Sequence, residues 1–141
     1  MKMDKLNDLS KSIIFPKGVK ITNDHFTGTA WLSMLVPDDS KFNCPIGNVT
    51  FEPGARTNWH IHQGGQILLV TAGKGYYQEK GKKARVIRKG DVVMIPSGVN
   101  HWHGASANSW FVHIAIMPNS QKGPVEWLEF VSDEEYNVIN E

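Results

Sequence analysis

Short runs of apolar residues, separated by turn-forming residues, recur along most of this chain. Runs that are rich in β-branched and aromatic side chains and bounded by Gly, Pro, Asn or Asp are typical of β-strands. The pattern predicts strands at residues 29–36, 48–51, 59–62, 66–71, 76–79, 84–87, 91–95 and 110–117. It predicts tight turns at residues 37–40, 72–75 and 80–83. Many short strands joined in this way favour an all-β sandwich or barrel.

The two ends of the chain lack this strand pattern. Residues 1–14 are polar and mixed, which predicts a short helix or an extended arm. At the other end, Ser132 is followed by three acidic residues, a pattern that favours the start of a short helix. We therefore expect an N-terminal arm over 1–28, a β-barrel over 29–124 and a C-terminal extension over 125–141.

The predicted strand at 66–71 contains four consecutive apolar residues, Ile67 to Val70. A strand with one solvated face alternates apolar and polar residues, so this run indicates a strand that is covered on both faces. Another subunit would supply the second cover, and the N-terminal arm is the alternative.

Two histidines stand two residues apart in the predicted strand at 59–62. Side chains two residues apart on a strand share one face, so His60 and His62 project to the same side. Gln66 has the same parity, provided that Gly64 and Gly65 do not insert a bulge. His101 offers a third imidazole, and three imidazoles with one oxygen donor are typical of a transition-metal site.

Composition narrows the class of protein. At 141 residues the chain has the size of one domain, and its net charge of +1 shows no basic footprint for nucleic acid. Cys44 is the only cysteine, which excludes an internal disulfide and fits a reducing compartment. The sequence has no apolar leader and no apolar stretch long enough to span a membrane. These features predict a cytoplasmic protein without nucleic-acid or membrane partners.

The spacing of these residues resembles the two-part motif of the cupin family. The matching positions are Gly54, His60, His62, Gly73, Gly90, Pro96, Gly98 and His101. Gln66 stands where cupins usually have Glu, and Ala105 stands where the second motif usually ends in Asn. The resemblance implies an all-β cupin double-stranded β-helix, a jelly-roll barrel with short helical termini, that holds its metal inside the barrel.

A narrower resemblance is to the small manganese-dependent cupins with hydroxynitrile lyase activity. It is carried by Arg56, Thr57, Trp59, His60, His62, Gln66, Val70, Thr71, Ala72 and Gly73, then by the run from His101 to Ala105, and by His113. The resemblance implies that His60, His62, Gln66 and His101 bind the metal. It also implies that His113, twelve residues after His101, is the catalytic acid/base, with His103 in support.

A glutamine ligand would change the charge of the centre. Three imidazoles and a carboxamide bring no negative charge, so a divalent ion would keep its full +2 and polarise a bound oxygen more strongly. Nitrogen and oxygen ligands suit Mn(II), Fe(II), Ni(II) or Zn(II). The resemblance favours one Mn(II).

Several other residues have two interpretations each. His103 either faces the cavity or is an exposed histidine at a strand end, and His113 is either a catalyst or a core residue. Other candidates for the core or for the cavity wall are Trp59, Trp102, Trp110, Thr50 and Phe51. Arg56 would bind an anionic substrate or be an exposed turn residue, and His25 is predicted at the surface.

The function predicted from the sequence is a metal-dependent lyase of hydroxynitrile-lyase type. Such an enzyme reversibly cleaves a cyanohydrin to a carbonyl compound and HCN. The alternatives are a metal-dependent oxygenase or isomerase, and a non-catalytic cupin that binds a small metabolite. A small-molecule substrate and a homodimer or homotetramer are expected.

Overall fold

The computed structural model describes residues 14–139, and antiparallel strands dominate it. The strands are β1 (Val19–Lys20), β2 (Phe26–Thr27), β3 (Ala30–Val36), β4 (Ile46–Phe51), β5 (Arg56–Thr57), β6 (His60–Ile61), β7 (Gln66–Glu79), β8 (Arg85–Arg88), β9 (Val92–Ile95), β10 (His101–Ala105), β11 (Phe111–Ile116) and β12 (Glu126–Trp127). A 3-10 helix spans Ser120–Lys122, and helix α1 spans Asp133–Ile139. The predicted all-β fold is confirmed. The helix or arm expected at residues 1–14 lies almost wholly outside the described residues.

The strands form two curved layers that share one long strand. The first layer has the order β1-β3-β4-β11-β7-β9. The second has the order β2-β5-β10-β7-β8, and it also contains β6 beside β10 and β12 beside β6. The first half of β7 pairs in the first layer and its second half in the second layer. The curled sheet therefore encloses an interior between its layers.

The turn predicted at residues 72–75 is wrong, because β7 runs through it without a break. The strand bends there instead, at Gly73, whose φ of 78° lies in the left-handed region. A Cβ at this position would clash with the carbonyl oxygen of Trp110, so only glycine fits. The bend takes β7 from one layer to the other. Strand β10 was not predicted, because its sequence His-Trp-His-Gly-Ala has few strand-favouring residues.

Two clusters of buried side chains fill the interior. The larger lies between the layers and includes Phe51, Leu68 and Phe111. The smaller lies beneath the C-terminal segment and consists of Trp59, Tyr76, Trp102, Val131 and Tyr136. Trp59 and Trp102 therefore fill the core.

Helix α1 begins where the sequence predicted it, at a reciprocal capping arrangement. The Ser132 N–H donates to a carboxylate oxygen of Glu135 at 3.0 Å, and the Glu135 N–H donates to Ser132 Oγ at 3.1 Å. The buried hydroxyl of Tyr136 donates to the carbonyl oxygen of Ala105 on β10 at 2.6 Å, which ties the helix to the barrel. Among the described residues, no helix has the length and apolar character needed to cross a bilayer.

The outer face of β7 carries the apolar residues that the sequence analysis noted. Ile67 and Leu69 point away from the core and are only half-buried. Across the β7–β9 ladder they stand beside Met94 and Val92, which are 77% and 55% exposed. Apolar residues grouped on one exposed sheet face are typical of interaction surfaces. The homodimer or homotetramer stays a prediction.

Candidate metal centre

Four histidines converge at one end of the interior. His60 on β6 pairs directly with His101 on β10, and their ring centroids are 4.2 Å apart. The His62 ring lies 5.0 Å from that of His60 and 6.0 Å from that of His101. His103, two residues along β10, brings a nitrogen to within 4.8 Å of nitrogens of His60 and His101. Strand pairing therefore gathers imidazoles that are far apart in sequence.

Backbone contacts set which nitrogen two of these rings present to the interior. Nδ1 of His60 lies 2.8 Å from the carbonyl oxygen of Asn58, and Nδ1 of His101 lies 3.0 Å from that of Val99. A carbonyl oxygen only accepts, so Nδ1 carries the proton in each ring. Each Nε2 then keeps its lone pair, as a metal ligand requires.

Gln66 faces the same point. Its carbonyl oxygen Oε1 lies 3.1 Å from Nε2 of His101, while its amide Nε2 donates to the sulfur of Met117 at 3.5 Å. Because His101 Nε2 has no proton, two acceptors stand face to face and repel each other unless a cation lies between them. Two adjacent octahedral ligands, each about 2.1 Å from an ion, are about 3 Å apart. The donor set therefore fits a divalent transition metal.

A fifth histidine, His113, contacts His103 of this cluster. Nε2 of His113 on β11 and Nδ1 of His103 are 3.0 Å apart, so one donates to the other. The outer nitrogens, His103 Nε2 and His113 Nδ1, are buried and have no hydrogen-bond partner among the described residues. The ring of Phe51 packs against both, with centroids 6.1 Å and 5.3 Å away. The pair therefore has free positions for proton transfer.

Burial keeps all five rings neutral near pH 7. Loss of hydration lowers the pKa of His62 and of His101 to about 4, and the charge of His101 adds to the effect at His62. Burial lowers the pKa of His113 to about 3. Burial, followed by repulsion from neighbouring imidazoles, lowers the pKa of His60 and His103 well below the usual value. Neutral rings can ligate a metal without first losing a proton.

The cluster opens into a cavity of about 250 Å³. His60, His62, Gln66, His103 and His113 line its polar side. The rest of its wall is mainly apolar, with side chains from Ile21, Phe26, Leu32, Met34, Met117 and Trp127. An apolar chamber with a few convergent polar groups is typical of a small-molecule site.

Comparison with known proteins identifies the family to which this fold belongs. The cupin domain family matches residues 47–116. The (R)-mandelonitrile lyase of Granulicella tundricola is 43% identical over 113 residues, covering 80% of this chain and 86% of the relative. This chain belongs to the cupin family.

Solved cupin structures agree with the fold. A cupin-like protein from Thermotoga maritima is 54% identical and superimposes with a TM-score of 0.88, over 90% of this chain and 96% of that one. A predicted oxalate decarboxylase from the same organism is 22% identical, with a TM-score of 0.62 over 77% of this chain and 90% of that one. The second likeness concerns the fold alone.

The cupin brings together all the residues that the sequence analysis proposed for its centre. His60, His62, Gln66 and His101 stay the predicted ligands. The imidazole nitrogens that all lie within 4.8 Å of one another belong to His60, His101 and His103, so the geometry adds His103 as a candidate donor and leaves His62 outside this closest group. The 3.0 Å contact between His103 and His113 was beyond the sequence, because nothing in the spacing along β10 and β11 shows which rings face each other.

Arg56 has neither of its predicted roles. It is buried, at 4% exposure, and does not line the cavity. Its guanidinium donates to the carbonyl oxygen of Val131 at 3.0 Å and to Asp133 at 2.9 Å, and it lies 4.2 Å over the ring of Tyr136. Arg56 therefore holds the C-terminal helix against the barrel.

The other candidates also lie outside the cavity wall. Trp110 is half-buried and stacks with Trp31 at 5.7 Å, and Thr50 is buried. His25 is less exposed than predicted, because it stacks face to face on Trp127, at 4.4 Å between centroids. Trp127 and Met117 also line the cavity but were not predicted, because neither belongs to the residues that carry the metal motif.

Proposed function

We propose that this cupin is a metal-dependent lyase that reversibly cleaves cyanohydrins of aromatic aldehydes. The observation that carries the proposal is the buried, neutral His103–His113 pair beside the ligand cluster of an apolar cavity. The 43% identity to a relative named (R)-mandelonitrile lyase supports the same reaction. The cavity wall suits an aromatic or branched substituent.

His60, His62, Gln66 and His101 would hold the metal. Mn(II) is favoured by the resemblance to manganese-dependent cupins, and Fe(II), Ni(II) or Zn(II) would also suit these nitrogen and oxygen donors. When bound, the cation supplies Lewis-acid stabilisation of negative charge that develops on the substrate oxygen. The uncharged ligands leave that stabilisation at full strength.

The histidine pair would move the proton. A neutral imidazole accepts the proton of the substrate hydroxyl while the carbonyl double bond forms. The bond to the nitrile carbon breaks, and its electron pair leaves with cyanide. The imidazolium then donates the same proton to cyanide, which completes aldehyde and HCN. His113 is the acid/base, and His103, 3.0 Å away, supports it as the other half of the relay.

The low pKa of His113, about 3, suits the return of the proton. An imidazolium in such a buried position is a strong acid, because its charge is poorly solvated, so it releases the proton readily to the departing anion. The same burial keeps the ring neutral before each turnover. Phe51 packs against His113, with ring centroids 5.3 Å apart.

The test is cleavage of racemic mandelonitrile by the metal-loaded protein, followed by chiral chromatography of the remaining substrate and by an oxygen electrode. Benzaldehyde release that favours one enantiomer, without oxygen uptake, is the expected result. Oxygen uptake would favour the oxygenase. Binding of benzaldehyde without turnover would favour a non-catalytic cupin.

The proposal includes self-association and a cytoplasmic location. The half-buried Ile67 and Leu69 beside exposed Val92 and Met94 support a second copy of this chain on that sheet face. Light scattering on the intact chain and on Met94→Lys tests it, since a charge there is expected to dissociate the oligomer. An unchanged mass of the variant would favour cover by the N-terminal arm or another interface.

A further inference from the structure

The residues that line the metal cavity come from two parts of the chain. The histidines and Gln66 lie within the part of the chain that matches the cupin family, residues 47–116. Most of the large apolar side chains of the wall lie outside it, on the segments before and after: Ile21, Phe26, Leu32, Met34, Met117 and Trp127. The family motif thus builds the reactive end, while the flanking segments shape the space for the substrate.

Among these flanking residues, Trp127 packs its ring against a predicted metal ligand. Strand β12 pairs with β6 in a register that sets Trp127 opposite His60. The two rings lie 4.7 Å apart between centroids, at an interplanar angle of 33°. On its other side, Trp127 stacks on His25 at 4.4 Å and 3°. The indole is therefore held between a predicted metal ligand and a residue near the surface.

Backbone hydrogen bonds directly after β12 continue its pairing with the β6 segment. The Leu128 N–H donates to the carbonyl oxygen of Trp59 at 2.9 Å, and the Trp59 N–H donates to that of Glu129 at 2.9 Å. Further along, Arg56 holds the Val131 carbonyl oxygen. These bonds hold the backbone of β12 in place, and the ring contacts with His25 and His60 hold the indole.

We propose that Trp127 is a specificity-determining residue, which sets the largest ring that the cavity accepts beside His60. The inference rests on the proposed function for the nature of the substrate. The limit that Trp127 places on ring size follows from the shape of the cavity alone and does not require that the protein cleaves cyanohydrins. A rigid indole at this point limits the depth available to a substituent, whereas a smaller residue would leave room for a second fused ring.

The test compares two neutral probes, benzamide and 2-naphthamide, which differ by one fused ring. Isothermal titration calorimetry gives the ratio of their dissociation constants in the metal-loaded wild type and in Trp127→Ala. We expect the ratio to shift by about tenfold or more towards 2-naphthamide in Trp127→Ala, the size of effect that one change in pocket volume produces. Trp127→Phe keeps a ring against His60 and is expected to shift the ratio less.

Trp31→Ala is the matched control, because Trp31 is an indole on β3 that stacks with Trp110 and does not line the cavity. It is expected to keep the wild-type ratio. An unchanged ratio in both Trp127 variants, with native circular dichroism, would overturn the proposal, as would an equal shift in Trp31→Ala.

Cyanohydrin cleavage, measured in parallel, separates the two proposals. If no variant cleaves mandelonitrile but the amide ratio shifts, the proposed function fails and the role of Trp127 stands. If wild type cleaves mandelonitrile and the ratio of amide dissociation constants is the same in wild type and in the Trp127 variants, the proposed function stands and the role of Trp127 is refuted. With both intact, kcat/KM for 2-naphthaldehyde cyanohydrin relative to mandelonitrile should rise in Trp127→Ala.

Discussion

Acid should destabilise the metal-free protein steeply, because five neutral imidazoles are buried in one place. An unfolded histidine has a pKa of about 6.5. In the folded protein burial lowers the pKa to about 4 for His62 and His101 and to about 3 for His113. Between these values the unfolded chain binds more protons than the folded one. The free energy of unfolding therefore falls as pH falls below about 6.5, and it is fully present above that pH.

The magnitude follows from the same pKa values. Between pH 7 and pH 5, each of these three histidines removes about 2 kcal/mol from the free energy of unfolding, or about 6 kcal/mol together. The lowered pKa values of His60 and His103 also make the free energy of unfolding fall as the pH falls. A domain is typically stable by about 5–15 kcal/mol, so the metal-free protein should be close to unfolding at pH 5.

Urea denaturation of chelator-treated protein at pH 7, 6 and 5, followed by far-UV circular dichroism, measures this slope. His113→Asn should reduce the loss by about 2 kcal/mol, because it removes one buried titrating ring. Equal unfolding free energies at pH 7 and pH 5 would refute the reasoning.

Four substitutions test the centre and its support. His113→Asn should lower kcat for mandelonitrile cleavage by about 10²- to 10⁴-fold with unchanged metal content, and a wild-type kcat would remove His113 from the reaction. Gln66→Glu adds a negative charge, so a chelator competition should show tighter metal binding while cleavage slows; no change in either would contradict the charge argument. Arg56→Ala should cost about 3 kcal/mol in urea denaturation, because it leaves the Val131 carbonyl oxygen buried without its donor. Asp133→Ala should cost less than about 1 kcal/mol, since the Asp133 side chain is 88% exposed, and equal losses would contradict the assigned role of Arg56.

The sequence predicted the parts of this protein whose information is local or periodic. The motif spacing identified His60 and Gln66, which line the same cavity, and the Ser132 capping pattern located helix α1. The parity argument between His60 and Gln66 does not hold, because β6 ends at Ile61 and β7 begins at Gln66 after a turn in which Gly65 has a φ of 84°. The interpretation of Gly73 as a turn residue failed for a physical reason. A glycine with positive φ serves a turn and a bend within a strand equally well, and only the pairing of β7 in both layers separates them.

Contacts between segments that are distant in sequence were beyond prediction. Arg56 is buried only because the C-terminal segment returns to cover it with Val131 and Tyr136. Trp127 reaches His60 because β12 pairs with β6. A two-residue strand is too short to show a periodic pattern, so this pairing could not be predicted from the sequence. The chemistry of the centre was thus readable from its motif, whereas the wall that selects the substrate was not.

The measurement that tests the central claim most directly is a titration of chelator-treated protein with Mn(II), in which benzaldehyde release from (R)-mandelonitrile is followed at each addition. A cation held by His60, His62, Gln66 and His101 predicts that activity rises linearly and stops at one equivalent per chain. Full activity before any metal is added, or no activity after elemental analysis shows one bound equivalent, would contradict the claim.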